Sequence, residues 1–155
     1  MDNIVVNELK IFYPEGFHVM DALERSKLNM LGNDAGEMIF DPDRHMTISI
    51  GWRRIGLAAR LNSVGDILKQ TEAGIGKGMQ PYGYKFLSKA PLKIDEEPAD
   101  SFCYEYTAQD IEMYGATIVV KHGKVLYNIH LYSRKELPDS NMETWKEIVD
   151  NARWI

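Results

Sequence analysis

A single cysteine, Cys103, stands among 155 residues, so no internal disulfide can form, and a small thiol packed within a strand is its expected use. That usage fits a reducing, cytoplasmic compartment. No uninterrupted apolar run is long enough to cross a bilayer, and the opening Met1-Asp2-Asn3-Ile4-Val5-Val6-Asn7-Glu8 lacks the basic stretch that begins an export signal. Membrane insertion is not expected. Positive charge is in deficit, with 18 Lys and Arg against 23 Asp and Glu for a net −5, so nucleic acid is not an expected partner. A phosphate-binding loop is missing as well: Gly74-Ile75-Gly76-Lys77-Gly78 follows a helical pattern, has no Lys-Ser or Lys-Thr at the required spacing, and reads as a helix terminator. Asp41, Asp43 and His45 would line up only on extended backbone, which Pro42 opposes. No metal or other cofactor is expected.

What is present is the composition of a folded domain, 45% hydrophobic and 26% charged, long enough to stand on one core without staples. Residues 1–155 read as a single domain with no repeat or linker. The eight methionines could line a plastic groove, but filling the core is their commoner use.

The last third carries the clearest pattern. Two strand-like runs meet at Lys121-His122-Gly123-Lys124, and a tight hairpin with His122 and Gly123 as its loop would pair Val120 with Val125, Ile118 with Tyr127, Ala116 with Ile129 and Tyr114 with Leu131. That face is wholly apolar. The other pairs Val119 with Leu126, Thr117 with Asn128, Gly115 with His130 and Met113 with Tyr132, and is mixed and polar. Upstream, Phe102, Tyr104 and Tyr106 alternate with Cys103, Glu105 and Thr107. Turning Glu105 to solvent, across a loop at residues 109–111, aligns Tyr106 with Tyr114, Tyr104 with Ala116 and Phe102 with Ile118.

Elsewhere the elements are read as follows. Residues 9–13 are extended. Asp21 with Glu24 forms a capping box for a helix to about Leu31. Residues 38–40 and 45–52 make a hairpin around Asp41-Pro42-Asp43-Arg44, with Met46, Ile48, Ile50 and Trp52 on one face. Leu57, Leu61, Val64, Leu68 and Ile75 recur at helical spacing, as one helix or as two with a restart at Ser63. Residues 82–88 read as a strand ended near Pro91, with an extension through Leu92 and Ile94 after a bend and an edge position both left open, and Ser140-Asn141-Met142-Glu143 would cap a closing helix striped with Trp145, Ile148, Val149 and Ala152. The expected fold class is α+β: a twisted, mostly antiparallel sheet of about six strands flanked by helices, with the central and terminal helices on its apolar face.

This order of elements, with Tyr13-Pro14-Glu15-Gly16-Phe17 entering a helix, His45-Met46-Thr47-Ile48-Ser49-Ile50 as strand, a central helix, Pro98-Ala99 before an aromatic strand, then hairpin and closing helix, resembles the PsbP-like superfamily end to end. That superfamily includes an extrinsic subunit of photosystem II, a eukaryotic factor that binds the Ran GTPase, and bacterial members of unassigned role, some of them chaperones for secreted effectors. The resemblance implies an α/β/α sandwich and supplies no catalytic residue to carry over.

Candidate site residues come from the register. Glu105, Gly115 and His130 would share one cross-strand row, Cys103, Thr117 and Asn128 the next, with Tyr132 beyond. Cysteine, histidine and carboxylate on one surface are the residue types of covalent or acid–base chemistry, but a hydrated or helix-covered sheet face whose polar groups pair with one another is the commoner account of them. The functional expectation is therefore a non-enzymatic protein-binding module, adaptor or chaperone-like. It would bind a protein or peptide through the patch of Cys103, Glu105, Gly115, Thr117, Asn128, His130 and Tyr132, or through a sheet edge, and a homodimer stays open. The alternative is a small-molecule binder or weak hydrolase using Cys103, Glu105, Asn128 and His130 around a pocket above Gly115.

Overall fold

The computed structural model describes residues 1–26, 35–57 and 61–155. Ten strands run in chain order: β1 (Asp2–Val6), β2 (Leu9–Tyr13), β3 (His18–Val19), β4 (Ala35–Asp41), β5 (Met46–Arg54), β6 (Lys85–Ile94), β7 (Glu97–Ala108), β8 (Ile111–His122), β9 (Val125–Arg134) and β10 (Arg153–Trp154). The described helices are α1 (Ala22–Ser26), α2 (Val64–Gly78) and α3 (Pro138–Asn151). Seven strands form one antiparallel sheet ordered β3-β4-β5-β9-β8-β7-β6, and β1-β2-β10 form a second of three. The α+β class holds, with one more strand in the main sheet than expected and a small sheet beside it.

The main core lies on the apolar face. Ile39, Met46, Ile48, Ile50, Ile118, Ile129 and Leu131 pack there against Trp145 and Ile148 of α3, Ala152 at its C-cap, and Leu9, Ile11 and Tyr13 of β2. Trp145 and Ile148 share one helical stripe, as their spacing predicts, while Ala152, expected to continue it, reaches the core from extended backbone just past the helix end. The second core lies on the opposite face, where Phe102, Tyr104, Val119, Leu126 and Tyr132 meet Ile67, Leu68 and Ile75 of α2 together with Met79 and Ile55. The central helix thus sits across the sheet from the terminal helix, not beside it.

That reversal follows from one turn. β7 and β8 join through two residues, Gln109 and Asp110, both left-handed (φ 53° and 63°), so Ala108 pairs with Ile111 and Tyr104 with Gly115. A loop of residues 109–111 would give the other parity, and a shift of one residue turns every side chain to the opposite face. Phe102 and Tyr104 therefore leave the main core and give α2 an apolar platform. The hairpin between β8 and β9 turns at Gly123-Lys124, with His122 paired to Val125 and only Gly123 left-handed (φ 62°), the pattern of a type II′ turn. Partners there slide by two residues from those expected, which preserves both faces.

Local signals fare similarly. Asp21 and Glu24 exchange backbone-to-carboxylate bonds at 3.2 and 2.8 Å, the reciprocal cap expected; the continuation to Leu31 falls outside the described residues. Ser63 Oγ accepts the Asp66 N–H at 3.1 Å, so α2 starts there, and Leu61 before it is 82% exposed. α2 runs on through Gly74 to Gly78, anchored by buried Ile75. A Cβ at Gly76 would lie 3.1 Å from the Tyr84 ring, so close packing offsets the poor helix propensity of that glycine. α3 begins at Pro138, and Asn141, expected within its cap, is buried instead, its Nδ2 donating to Arg44 O at 2.9 Å and Ser133 Oγ at 2.7 Å. β6 starts after Tyr82 and passes Pro91 unbroken, as an edge strand can.

Candidate functional site

Three central strands carry a polar row on the α2 face. His130 of β9 lies between Ser49 of β5 and Thr117 of β8. Thr117, fully buried, sits with Oγ1 2.9 Å from His130 Nδ1, and the half-buried imidazole lies 6.3 Å from the Tyr132 ring, near parallel. Burial pushes the Tyr132 phenol up to about 12. Asn128, buried one row away, pairs between Gly51 and Val119.

Gly115 lies on the same face without leaving a space. Tyr104 stands directly opposite, and a Cβ on Gly115 would fall 2.2 Å from its Cζ and 2.6 Å from its hydroxyl oxygen. The glycine is the seat of a ring, an arrangement in which a cross-strand aromatic covers a bare backbone position. Tyr104 is completely buried between the rings of Tyr84 at 5.3 Å, Phe102 at 5.7 Å and Tyr106 at 5.8 Å, separations typical of attractive aromatic pairs. Its hydroxyl has no hydrogen-bond partner among the described residues. Burial, and secondly the neighbouring phenols, hold Tyr104 well above the ordinary phenol value.

Cys103 and Glu105 are on the other face. Cys103 is half-buried against the main core beside Tyr114, whose phenol is raised first by burial and then by its hydrogen bond to that thiol. The Glu105 carboxylate lies 2.7 Å from Lys135 Nζ, which raises the lysine above its usual range, chiefly through that hydrogen bond. Of the seven candidate residues the sheet brings together Gly115, Thr117, Asn128, His130 and Tyr132, and sends Cys103 and Glu105 through to its far side. The predicted row of Glu105, Gly115 and His130 does not form, for the turn reason given above. The pocket above Gly115 is occupied by Tyr104, so the geometry required by the hydrolase alternative is not assembled.

Two features escaped the sequence reading. His122, expected in a loop, ends β8 with its ring parallel to Trp154 at 4.0 Å, and its nitrogens lie 3.5 Å from Glu8 and from Glu97. Trp154 Nε1 donates to Ile94 O at 3.0 Å, so this clamp pins the last strand to the sheet. Nothing local in the sequence announces it, since it joins residues far apart in the chain.

The second is the rim of the main sheet. β6 closes the strand order and pairs only with β7 among the described residues. Residues 85–91 are all exposed, Phe86 at 42% and Leu87 at 38%, with Tyr82 just before the strand at 47%. The register slips between Phe86 and Ser88, leaving Leu87 as a bulge. Lys85, Lys89 and Lys93 recur every fourth residue, and no Asp or Glu occurs from Lys85 to Ile94, a signal visible in the sequence.

No described helix is long and apolar enough to cross a membrane, and no group of three or more His, Cys, Asp or Glu among the described residues could hold a metal ion. No family model matches the chain, and no curated protein does. Solved structures do. CyanoP, the cyanobacterial PsbP of Synechocystis sp. PCC 6803, matches with a TM-score of 0.71 at 12% identity, covering 96% of this chain and 87% of that one. LpqN, described as involved in cell envelope biogenesis of Mycobacterium tuberculosis, gives 0.64 at 13% identity over 93% and 81%. The immunity protein TplEi of the T6SS of Pseudomonas aeruginosa gives 0.50 at 17% identity over 80% of this chain and 47% of that one. Identities this low speak for architecture and not for activity. With helices on both faces of an antiparallel sheet and this order of elements, the chain has a PsbP-like fold.

Proposed function

We propose that this chain is a non-enzymatic protein-binding module, adaptor or chaperone-like, that takes an extended segment of a partner along the outer edge of β6. The observation that carries the reading is a ten-residue edge strand whose outer side pairs with no described residue, with Phe86 and Leu87 exposed on it. An unpaired edge offers a row of backbone donors and acceptors, and strand addition uses them for affinity while side-chain contacts select the sequence. The polar α2 face, the other surface considered, is a poorer candidate because Tyr104 and α2 fill much of it. A neighbour described as an immunity protein is in keeping with protein partners, and the lone Cys103 with action in the cytoplasm.

Affinity capture from native cells, comparing the natural chain with Phe86→Glu/Leu87→Glu, tests this. A protein captured in proportion to the bait and lost with the edge variant is the expected result. Equal capture by both, or none by either, overturns it.

A further inference from the structure

The charge along β6 identifies what the edge takes. We infer, building on the edge-binding role proposed above, that the occupant is an acidic extended peptide segment and not a second copy of this chain. The whole chain carries a net −5, yet residues 85–94 hold three lysines and no carboxylate. Lys85, Lys89 and Lys93 are all exposed. Lys89 pairs with Phe102 and Lys93 with Pro98, while Phe86 pairs with Tyr104, so Phe86, Lys89 and Lys93 all project on the α2 side of the sheet. Lys85 pairs with Glu105 and projects on the other.

At about 3.3 Å per residue the four-residue interval between Lys89 and Lys93 spans roughly 13 Å. An incoming strand with carboxylates four residues apart matches that spacing on one face, the face that also carries the exposed Phe86 ring, stacked on Phe102 at 6.4 Å. Pro91, lacking an N–H, removes one backbone donor from the edge.

A second copy fits badly. Two β6 edges side by side bring six lysines to one seam with no acid from either strand, and like charges across a strand pair are destabilising. An acidic segment meets the same lysines with attraction, which adds little raw energy at an exposed seam but selects the partner and speeds encounter.

The test uses the full chain, labelled with ¹⁵N, and two blocked nine-residue peptides, one alternating Glu with Val and one alternating Lys with Val. Amide shifts confined to residues 84–93, with the acidic peptide bound at least tenfold more tightly than the basic one and the difference shrinking as salt is raised, are expected. Lys89→Glu/Lys93→Glu, at exposed positions that leave the core untouched, should reverse the preference. Equal binding of both peptides, no shifts along β6, or a natural chain that dimerises through this edge in sedimentation would overturn the inference. The failures are separable: if a partner is captured through Phe86 and Leu87 while the acidic peptide is ignored, edge binding stands and the acidic occupant falls.

Discussion

Replacing Gly115 with alanine is the sharpest probe of how the α2 face is filled. The added Cβ would lie 2.2 Å from Tyr104 Cζ, 2.5 Å from Cε2 and 2.6 Å from the hydroxyl oxygen, whereas carbon atoms rest at about 3.5–4.0 Å. The ring must therefore retreat by more than about 1 Å. It has little room, being fully buried among Tyr84, Phe102 and Tyr106. Forcing extra volume into a packed core costs about 1–3 kcal/mol, and losing the contacts of a buried aromatic costs about 3–5 kcal/mol. A loss near 3 kcal/mol is expected, seen in urea unfolding as a lower midpoint with an unchanged slope, and in heating as a fall of roughly 6–12 °C.

A double-mutant cycle isolates the cause. The three atoms nearest the new methyl belong to the far edge of the ring, which Tyr104→Leu removes. In that background Gly115→Ala should cost less than about 1 kcal/mol, a coupling of about 2 kcal/mol between directly opposed residues. Additive losses within about 0.5 kcal/mol would refute the reasoning, because the penalty would then come from the backbone and not from the ring.

Burial holds Tyr84, Tyr104, Tyr106, Tyr114 and Tyr132 above the ordinary phenol value of 10.0, Tyr132 at about 12. The unfolded chain releases these protons near pH 10 and the native one does not, so their contribution to stability is intact below that pH and is lost as pH rises through the folded values, by up to about 1.4 kcal/mol per pH unit for a deeply buried phenol and by less for the part-exposed Tyr84 and Tyr114, which solvent screens. Tyrosinate absorbance from these five should rise with the loss of far-ultraviolet dichroism; a full eight-tyrosine absorbance change near pH 10 in an intact fold would contradict this. Glu105→Gln should lower the Lys135 titration midpoint seen by NMR, since the amine is raised chiefly by that carboxylate, and an unmoved midpoint would mean that the pair does not form in solution. Replacing Gln109-Asp110, both left-handed, with Asn-Gly should raise stability by about 1 kcal/mol, because this pair suits a two-residue turn with both φ positive; a loss in urea unfolding would mean that the turn is longer.

Legibility followed the range of the interactions. Ile48, Ile50, Ile118 and Ile129 announce their burial by alternation, Trp145 and Ile148 by helical spacing, and Asp21 with Glu24 by a cap closed within four residues. These are local patterns, and burial enforces them. β10 has two residues and exists because Trp154 finds Leu9 and His122, partners that no window of sequence contains. The glycines of α2 read as a stop because propensity counts against them, while the packing of Tyr84 on Gly76 is tertiary and overrides it. Within the site, the residues of β8 and β9 came out on one face because a two-residue slip conserves parity. Those of β7 did not, because a one-residue change in loop length inverts it.

The same parity decides where a partner could be met. Had Cys103 and Glu105 shared a face with His130, the broad side of the sheet would carry a thiol, an imidazole and a carboxylate over an open glycine, and chemistry would be the natural reading. With the observed turn at Gln109 and Asp110, Phe102 and Tyr104 occupy that side instead, Tyr104 fills the space over Gly115, and α2 closes over the aromatic ladder. The apolar face is already spent on α3 and β2. Both broad surfaces thus serve the cores, and among the described residues the longest unpaired strand edge is the rim at β6, where lysines every fourth residue would disfavour a like strand and suit one of opposite charge.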